Sequence, residues 1–163
     1  MWYGACTYMN SDDNDIDGPT LKPLLFFPRW LERAKALAKT HEYEARLSYH
    51  HCALVIKGGK LIATGYNALN ADLRFDPVLA KRARRLQNEN HAEVSAILSV
   101  KNRETIIGSK VFVVRVTNDG KYAISRPCFL CQNVLHNFGV RSVIYSVSEY
   151  EFGTWRVHNP AYD

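Results

Sequence analysis

The sequence is poor in the features that mark fibrous, repetitive or membrane-spanning chains. Its 163 residues include only 9 glycines and 6 prolines, which excludes a collagen-like or linker-like chain. It contains no repeat or low-complexity tract, and no apolar run approaches the ~20 residues that span a bilayer. The basic start and apolar segment of a secretory signal are also missing. We therefore expect one cytoplasmic domain without a membrane partner.

Cysteine is scarce, and its spacing favours a metal or redox site over disulfides. The 4 cysteines lie at positions 6, 52, 128 and 131. Cys128 and Cys131 form a C-x-x-C pair, which favours metal binding or redox chemistry in a chain that lacks a secretion signal. Cys6 and Cys52 have no such spacing, and Cys52 is expected to be a buried small apolar residue in a strand.

The apolar pattern predicts helices and strands in alternation. A helix is expected from Pro28, with an apolar face at i, i+3 and i+4 spacing and an extension toward Leu47 left open. Gly58-Gly59 predicts a tight hairpin between strands at 52–56 and 61–64. The other predicted elements are a helix at 77–88, a helix from His91 capped by Asn90, a strand at 111–116, a helix at 128–137, and strands at 140–145 and 154–157.

Strands that alternate with helices favour an α/β protein with parallel strands at the centre of its sheet. We predict a three-layer α/β/α sandwich with a mixed sheet of about five strands. The connection that precedes the strand at 154–157 is too short for a crossover helix, so this last strand is predicted to run antiparallel to its neighbour.

Two short segments carry the residue types of a catalytic metal site. His91-Ala92-Glu93 opens one predicted helix, and Pro127-Cys128-Phe129-Leu130-Cys131 opens the next. The imidazole of His91 and the thiolates of Cys128 and Cys131 make three zinc ligands and leave the fourth tetrahedral position for water. A helix start favours thiolates, because its unpaired N–H groups and its dipole stabilise negative charge. We therefore predict one catalytic Zn²⁺ per chain.

The combination of H-x-E with P-C-x-x-C resembles the cytidine and deoxycytidylate deaminase superfamily, whose members are zinc-dependent. The resemblance covers about residues 48–146 and is carried by Gly65-Tyr66-Asn67, His91-Ala92-Glu93, Ser125-Arg126-Pro127-Cys128 and Cys131. It implies hydrolytic deamination of a cytosine-type base in a free nucleoside or nucleotide, with release of ammonia. It also implies a homo-oligomer.

The chain length predicts a single domain over residues 1–163, which we expect to be the deaminase domain. Residues 1–47 would form an N-terminal extension plus the first helix, and residues 48–158 would form the catalytic core. The first of these stretches has no counterpart in the resemblance.

Roles for individual residues follow from the resemblance. Glu93 would carry protons between water, the ring nitrogen and the departing amine. Asn67 would contact the sugar, the backbone N–H of Ala92 would bond the pyrimidine O2, and the carbonyl near Ser125 would receive the amino group. Arg126 directly precedes the cysteine segment, so we expect its guanidinium near the pocket mouth, where it could bind a phosphate.

The distribution of charge leaves other substrates open. The net charge is +5, with a basic block at Lys81, Arg82, Arg84 and Arg85 and an acidic segment at Asp12, Asp13, Asp15 and Asp17. A solvated face is the simpler interpretation of such a block. The alternative is that the block follows the phosphates of a single-stranded DNA or RNA substrate, with cytosine or adenine as the base. The histidine ligand resembles the deoxycytidylate and polynucleotide branches, whereas the antiparallel last strand resembles the free-cytidine branch.

Three further interpretations are less favoured. A thioredoxin-like redox pair would also place C-x-x-C at a helix start, but it leaves His91 and Glu93 unexplained. A non-catalytic, zinc-containing nucleic-acid-binding module would not need a carboxylate beside an open coordination position. A second metal site at His50 and His51 lacks matched ligands.

Overall fold

The computed structural model describes residues 22–23, 28–45, 47–69 and 89–157. Cys6, the acidic segment, the predicted helix at 77–88 and the basic block within it lie outside these residues. The elements are β1 (Lys22–Pro23), α1 (Arg29–Thr40), β2 (His50–Lys57), β3 (Lys60–Tyr66), β4 (Ala68–Leu69), β5 (Glu89–Asn90), α2 (Ala92–Ser99), a 3-10 helix (Arg103–Ile106), β6 (Lys110–Val116), β7 (Tyr122–Ala123), α3 (Phe129–Asn137), β8 (Ser142–Ser146) and β9 (Glu151–Arg156).

One mixed sheet organises the described part of the chain. Its strands follow the order β1-β9-β8-β6-β2-β3, and the short β7 pairs with β6. The central pair β6 and β8 is parallel, and α3 lies between these strands in the sequence, as a parallel crossover requires. β9 runs antiparallel to β8, which confirms the prediction for the last strand. β4 and β5 form a separate two-stranded ladder.

The hairpin between β2 and β3 has the turn that its glycines predict. Gly58 and Gly59 both have positive φ, at 56° and 74°, the conformation in which a two-residue loop matches the twist of the paired strands.

Alternation along the strands divides the apolar core between the two faces of the sheet. Ala53 and Val55 of β2 lie on the face that packs against α2 and α3. Cys52 and Leu54 lie on the opposite face, against α1. Helices therefore cover both faces, which confirms the predicted three-layer α/β/α architecture with a mixed sheet. Within the described ranges, no helix is both long and apolar enough to cross a membrane.

Helix α1 supplies one outer layer and ends earlier than the open extension toward Leu47 would require. Its buried residues are Leu31, Ala34 and Ala38, which follow the predicted apolar stripe. The chain becomes extended at His41, whose ring stacks on that of Tyr66 with 3.7 Å between the centroids. The helix stops because the chain must turn here to pack against the start of β2.

Gly65 sets the distance between α2 and the sheet. A Cβ atom at this position in β3 would overlap the backbone nitrogen of Ala96 and the carbonyl oxygen of Ala92. Only glycine leaves room for the helix backbone to lie directly against the strand. Because α2 begins next to His91, this close approach also fixes where the histidine lies.

We expect Gly65→Ala to destabilise the protein by about 3 kcal/mol, at the upper end of the cost of overpacking, because both clashing groups belong to the backbone. The control is Gly59→Ala, whose Cβ would meet open space and whose positive φ costs only ~1–2 kcal/mol. Chemical denaturation measures both variants. Equal losses of unfolding free energy would contradict the proposed role of Gly65.

Candidate active site

Three predicted metal ligands meet at one point. The Nδ1 atom of His91 lies 3.5 Å from the Sγ of Cys128 and 3.3 Å from the Sγ of Cys131. All three ligand atoms lie within 4.8 Å of one another. Tetrahedral zinc, with bonds of ~2.0–2.3 Å to nitrogen and sulfur, requires ligand separations of ~3.5 Å. The donor set and its spacing therefore fit zinc, and the three-ligand set leaves one coordination position for a non-protein ligand.

Two helix starts bring these ligands together. His91 is the N-cap residue of α2, and Cys128 is the N-cap residue of α3. Both predicted helices therefore begin one residue later than expected, and His91 rather than Asn90 occupies the cap. His91 and Cys128 both have an extended backbone. Each side chain can therefore point across the helix end rather than along the helix. Cys131 follows one turn into α3, on the same side.

The environment of the site favours the thiolate form of Cys128. Hydrogen bonding from Cys131, supported by His91, lowers the pKa of Cys128 to about 4. Cys52 shows the opposite behaviour, because burial raises the pKa of its thiol to about 12. Cys52 is fully buried in β2, as predicted, and takes no part in the site. Cys128 is thus a ready metal ligand, and Cys52 is a packing residue.

Glu93 is a buried carboxyl group in the first turn of α2. Only 5% of the residue is exposed, and burial raises the pKa of its carboxyl group, while His91 opposes this shift. The structure therefore places a buried carboxyl group close to His91 and Cys128 without including it among the three ligands.

The short ladder β4–β5 brings a further predicted residue to the site. Ala68 pairs with Asn90 in antiparallel register, so Asn67 and His91 are the next residues along the two strands. The Asn67 Oδ1 accepts a hydrogen bond from the His51 N–H at 2.7 Å, and its Nδ2 donates to the Tyr49 carbonyl at 2.8 Å. Asn67 thus ties the start of β2 to the end of β3, and its amide keeps one N–H and one lone pair for a ligand.

The loop that precedes α3 is anchored to the sheet through Ser125. Its hydroxyl donates to the Val113 carbonyl at 2.8 Å, and its N–H donates to the Ser146 carbonyl at 2.9 Å. Ser125 is buried, and Arg126 beside it is half-buried. Ala92 is fully buried at the first position of α2, where helix geometry leaves the N–H without an intrahelical partner.

The polar residues at the start of β2 and the end of β6 were not predicted as part of the site. His51 lies opposite Arg115 in the β2–β6 register, and the Arg115 guanidinium lies 3.7 Å from the centre of the Tyr49 ring. Within the described ranges, His91, Cys128 and Cys131 are the one group that could hold a metal ion, so the two neighbouring histidines do not form a second site. His51 and Arg115 come together through the pairing of β2 with β6, which no local sequence pattern predicts.

The chain is similar to known deaminases. The profile of one family, described as the cytidine and deoxycytidylate deaminase zinc-binding region, matches residues 28–147, so the match includes α1. No curated protein matches significantly.

Two solved structures are similar to this chain. A cytidine deaminase from Burkholderia pseudomallei is 20% identical over 78% of this chain and 89% of its own, with a TM-score of 0.53. A dCMP deaminase from the cyanophage S-TIM5, solved in complex with dCMP and dUMP, is 21% identical over 72% of this chain and 77% of its own, with a TM-score of 0.49. The first of these likenesses supports the α/β fold described above.

We expect Cys128→Ser and Cys131→Ser each to lose zinc and to unfold more easily, since metal binding contributes to folding. The control Cys52→Ala removes a buried thiol of β2, away from the ligands, and should keep its zinc. Metal analysis after dialysis, with thermal unfolding, measures both effects. Full zinc occupancy in either serine variant would show that the ligand set is wrong.

Proposed function

Because this chain belongs to the cytidine and deoxycytidylate deaminase family, we propose that it removes the amino group of a cytosine-type base in a free nucleoside or nucleotide. The family match and the ligand set together identify the chain as a zinc-dependent deaminase. The choice of a free pyrimidine nucleoside or nucleotide as substrate is the proposal. It rests on the resemblance described above.

The observation that supports hydrolytic catalysis at this site is the buried Glu93 close to the three metal ligands. A structural zinc site has four protein ligands and no use for a further carboxyl group. A hydrolytic site needs an incomplete ligand set and a proton carrier within reach of the reacting water. The second arrangement is the one that these residues form, which argues against a non-catalytic binding module.

In the proposed reaction, water adds to the ring carbon that bears the amino group, and the carbon–nitrogen bond then breaks. His91, Cys128 and Cys131 would hold the zinc, which would supply Lewis acidity and lower the pKa of a water molecule to roughly 7. Glu93 accepts a proton from this water and passes it to the adjacent ring nitrogen. It then transfers the second water proton to the departing amine, so that a carbonyl and ammonia are the products.

Four further residues are proposed to hold the substrate. The N–H of Ala92 donates to the pyrimidine O2, and the carbonyl of Ser125 accepts from the amino group. Asn67 contacts the sugar through the remaining capacity of its amide. Arg126 binds the phosphate of a nucleotide, where its planar fork can form paired hydrogen bonds.

Ammonia release tests the proposed function. The substrates are cytidine, deoxycytidine, their 5′-monophosphates and single-stranded oligonucleotides that contain cytosine or adenine. Turnover of a nucleoside or mononucleotide supports the proposal. Turnover of oligonucleotides alone, with an affinity that falls steeply as salt is added, would favour the polynucleotide alternative. Zinc-loaded protein without turnover of any substrate would favour the non-catalytic alternative.

We expect Glu93→Gln to keep its zinc and to lose roughly 10²–10⁴ of the rate, because an amide cannot accept and return a proton. Glu104→Gln is the matched control, since this carboxylate is exposed on the 3-10 helix and should have no effect on turnover. Metal content and steady-state kinetics measure both variants. Near-normal turnover in Glu93→Gln would overturn the assigned role.

We expect Arg126→Ala to lower kcat/KM about 10–100-fold for a 5′-monophosphate, the value of about one hydrogen bond to a charged group. The corresponding nucleoside should change little. The control is Arg141→Ala, which removes an exposed arginine before β8. Equal losses for nucleoside and monophosphate would show that Arg126 shapes the loop and does not bind phosphate.

A further inference from the structure

A second arginine lies on the active-site face of the sheet, at the ends of β2 and β6. Arg115 follows Val113 by two residues, so its side chain points to the same face. Val113 packs in the core between the sheet and the helices α2 and α3. His51 is opposite Arg115 in the register and shares this face with Ala53. The pair therefore lies on the side of the sheet that carries the metal ligands.

His51 connects Arg115 to the metal ligands. The backbone N–H of His51 donates to Asn67, which the β4–β5 ladder holds next to His91. Burial, together with the nearby charges of Arg115 and His91, lowers the pKa of His51 to about 3. Both groups are therefore close enough to the His51 imidazole to act on it, and this imidazole is uncharged at neutral pH.

The Arg115 side chain is held in place but not neutralised. Its guanidinium lies over the Tyr49 ring at 3.7 Å, and its backbone N–H donates to the Ser146 hydroxyl at 3.2 Å. Its Nε atom is buried and has no hydrogen-bond partner among the described residues. A buried donor on a cationic group without a partner is costly unless a ligand satisfies it. The side chain is half-buried as a whole, so part of it remains accessible to a ligand.

We propose that Arg115, in addition to Arg126, binds the phosphate group attached to the sugar of the substrate and thereby contributes to a preference for nucleotides over nucleosides. This inference rests on the proposed function, since it concerns the substrate of the same site. Asn67, the proposed sugar contact, lies one hydrogen bond from His51, and His51 is opposite Arg115. A sugar at Asn67 would therefore place its phosphate toward the end of β6.

The chemistry of Arg115 favours a phosphate as the ligand. Arginine presents a planar fork of donors that matches two phosphate oxygens, and an aromatic ring beneath it restricts its rotation. The Tyr49 ring is 48% exposed, so the stacked pair lies at the protein surface, where a phosphate can enter without full desolvation. A phosphate monoester of a mononucleotide and a phosphodiester of a polynucleotide share this chemistry, and the experiment below separates them.

The test uses the zinc-loaded protein with Arg115→Met, Arg115→Lys and a matched control, Arg103→Met. Arg103 also lies over an aromatic ring, Phe138, at 5.4 Å, but this ring is at the C-terminal end of α3, whereas the metal ligands are at its start. The kinetic readout is kcat/KM for deoxycytidine, its 5′-monophosphate and a short cytosine-containing oligonucleotide. The binding readout is calorimetry with deoxyuridine and deoxyuridine 5′-monophosphate, which does not depend on turnover.

Arg115→Met is expected to lower kcat/KM for the monophosphate and the affinity for deoxyuridine 5′-monophosphate about 10–100-fold, as expected for lost hydrogen bonds to a charged group. Values for the two nucleosides should change less than about 3-fold. Arg115→Lys keeps the charge but loses the paired hydrogen bonds, so we expect an intermediate, phosphate-specific loss. This variant also decides the question if Arg115→Met does not fold. Arg103→Met should match the wild-type protein in both readouts.

Three outcomes would overturn the inference and leave the proposed function intact. One is an equal loss for nucleoside and monophosphate, which would show that Arg115 supports the fold. Another is unchanged monophosphate binding in Arg115→Met. The third is a loss confined to the oligonucleotide, which would assign Arg115 to a phosphodiester. Failure of the proposed function is distinguishable, because the wild-type protein would then turn over neither deoxycytidine nor its monophosphate.

Discussion

The meeting of one imidazole and two thiols at the starts of two helices is the contact on which the rest of the structure depends. His91 lies 37 and 40 residues before the two cysteines, yet the ligand atoms must come within a few ångströms of one another. The parallel pair β6 and β8 places α3 on the same face as α2, and Gly65 lets α2 lie against β3. The strand order of the sheet and the close packing of α2 on β3 together bring the two helix ends to one point.

Burial acts in opposite ways on the charged groups around this point. It raises the pKa of Glu93 and so favours the neutral form of that carboxyl group. It lowers the pKa of His51, which keeps that imidazole uncharged. The site therefore brings a buried carboxyl group, an uncharged imidazole and the guanidinium of Arg115 together from separate elements.

Much of this structure could be predicted from local sequence patterns. The glycine pair predicted the hairpin, the apolar stripe predicted α1, and the combination of H-x-E with P-C-x-x-C predicted the ligands. These signals are local, because turns, caps and amphipathic faces depend on neighbouring residues. The role of Arg115 could not be found in this way. Its place opposite His51 depends on the pairing of β2 with β6, and no spacing in the sequence states which strands become neighbours.

The β4–β5 ladder has a consequence for how the chain can vary. The chain leaves the described part of the fold at Leu69 and returns at Glu89, and these two residues are paired with each other. A connection whose two ends are paired with each other can change in length with little effect on the rest of the fold. Each doubling of a loop's length costs only ~0.6 kcal/mol of closure entropy. Insertion or deletion between Leu69 and Glu89 would leave the positions of Asn67 and His91 unchanged. The length of the connection between Leu69 and Glu89 is therefore not what sets the separation of Asn67 and His91.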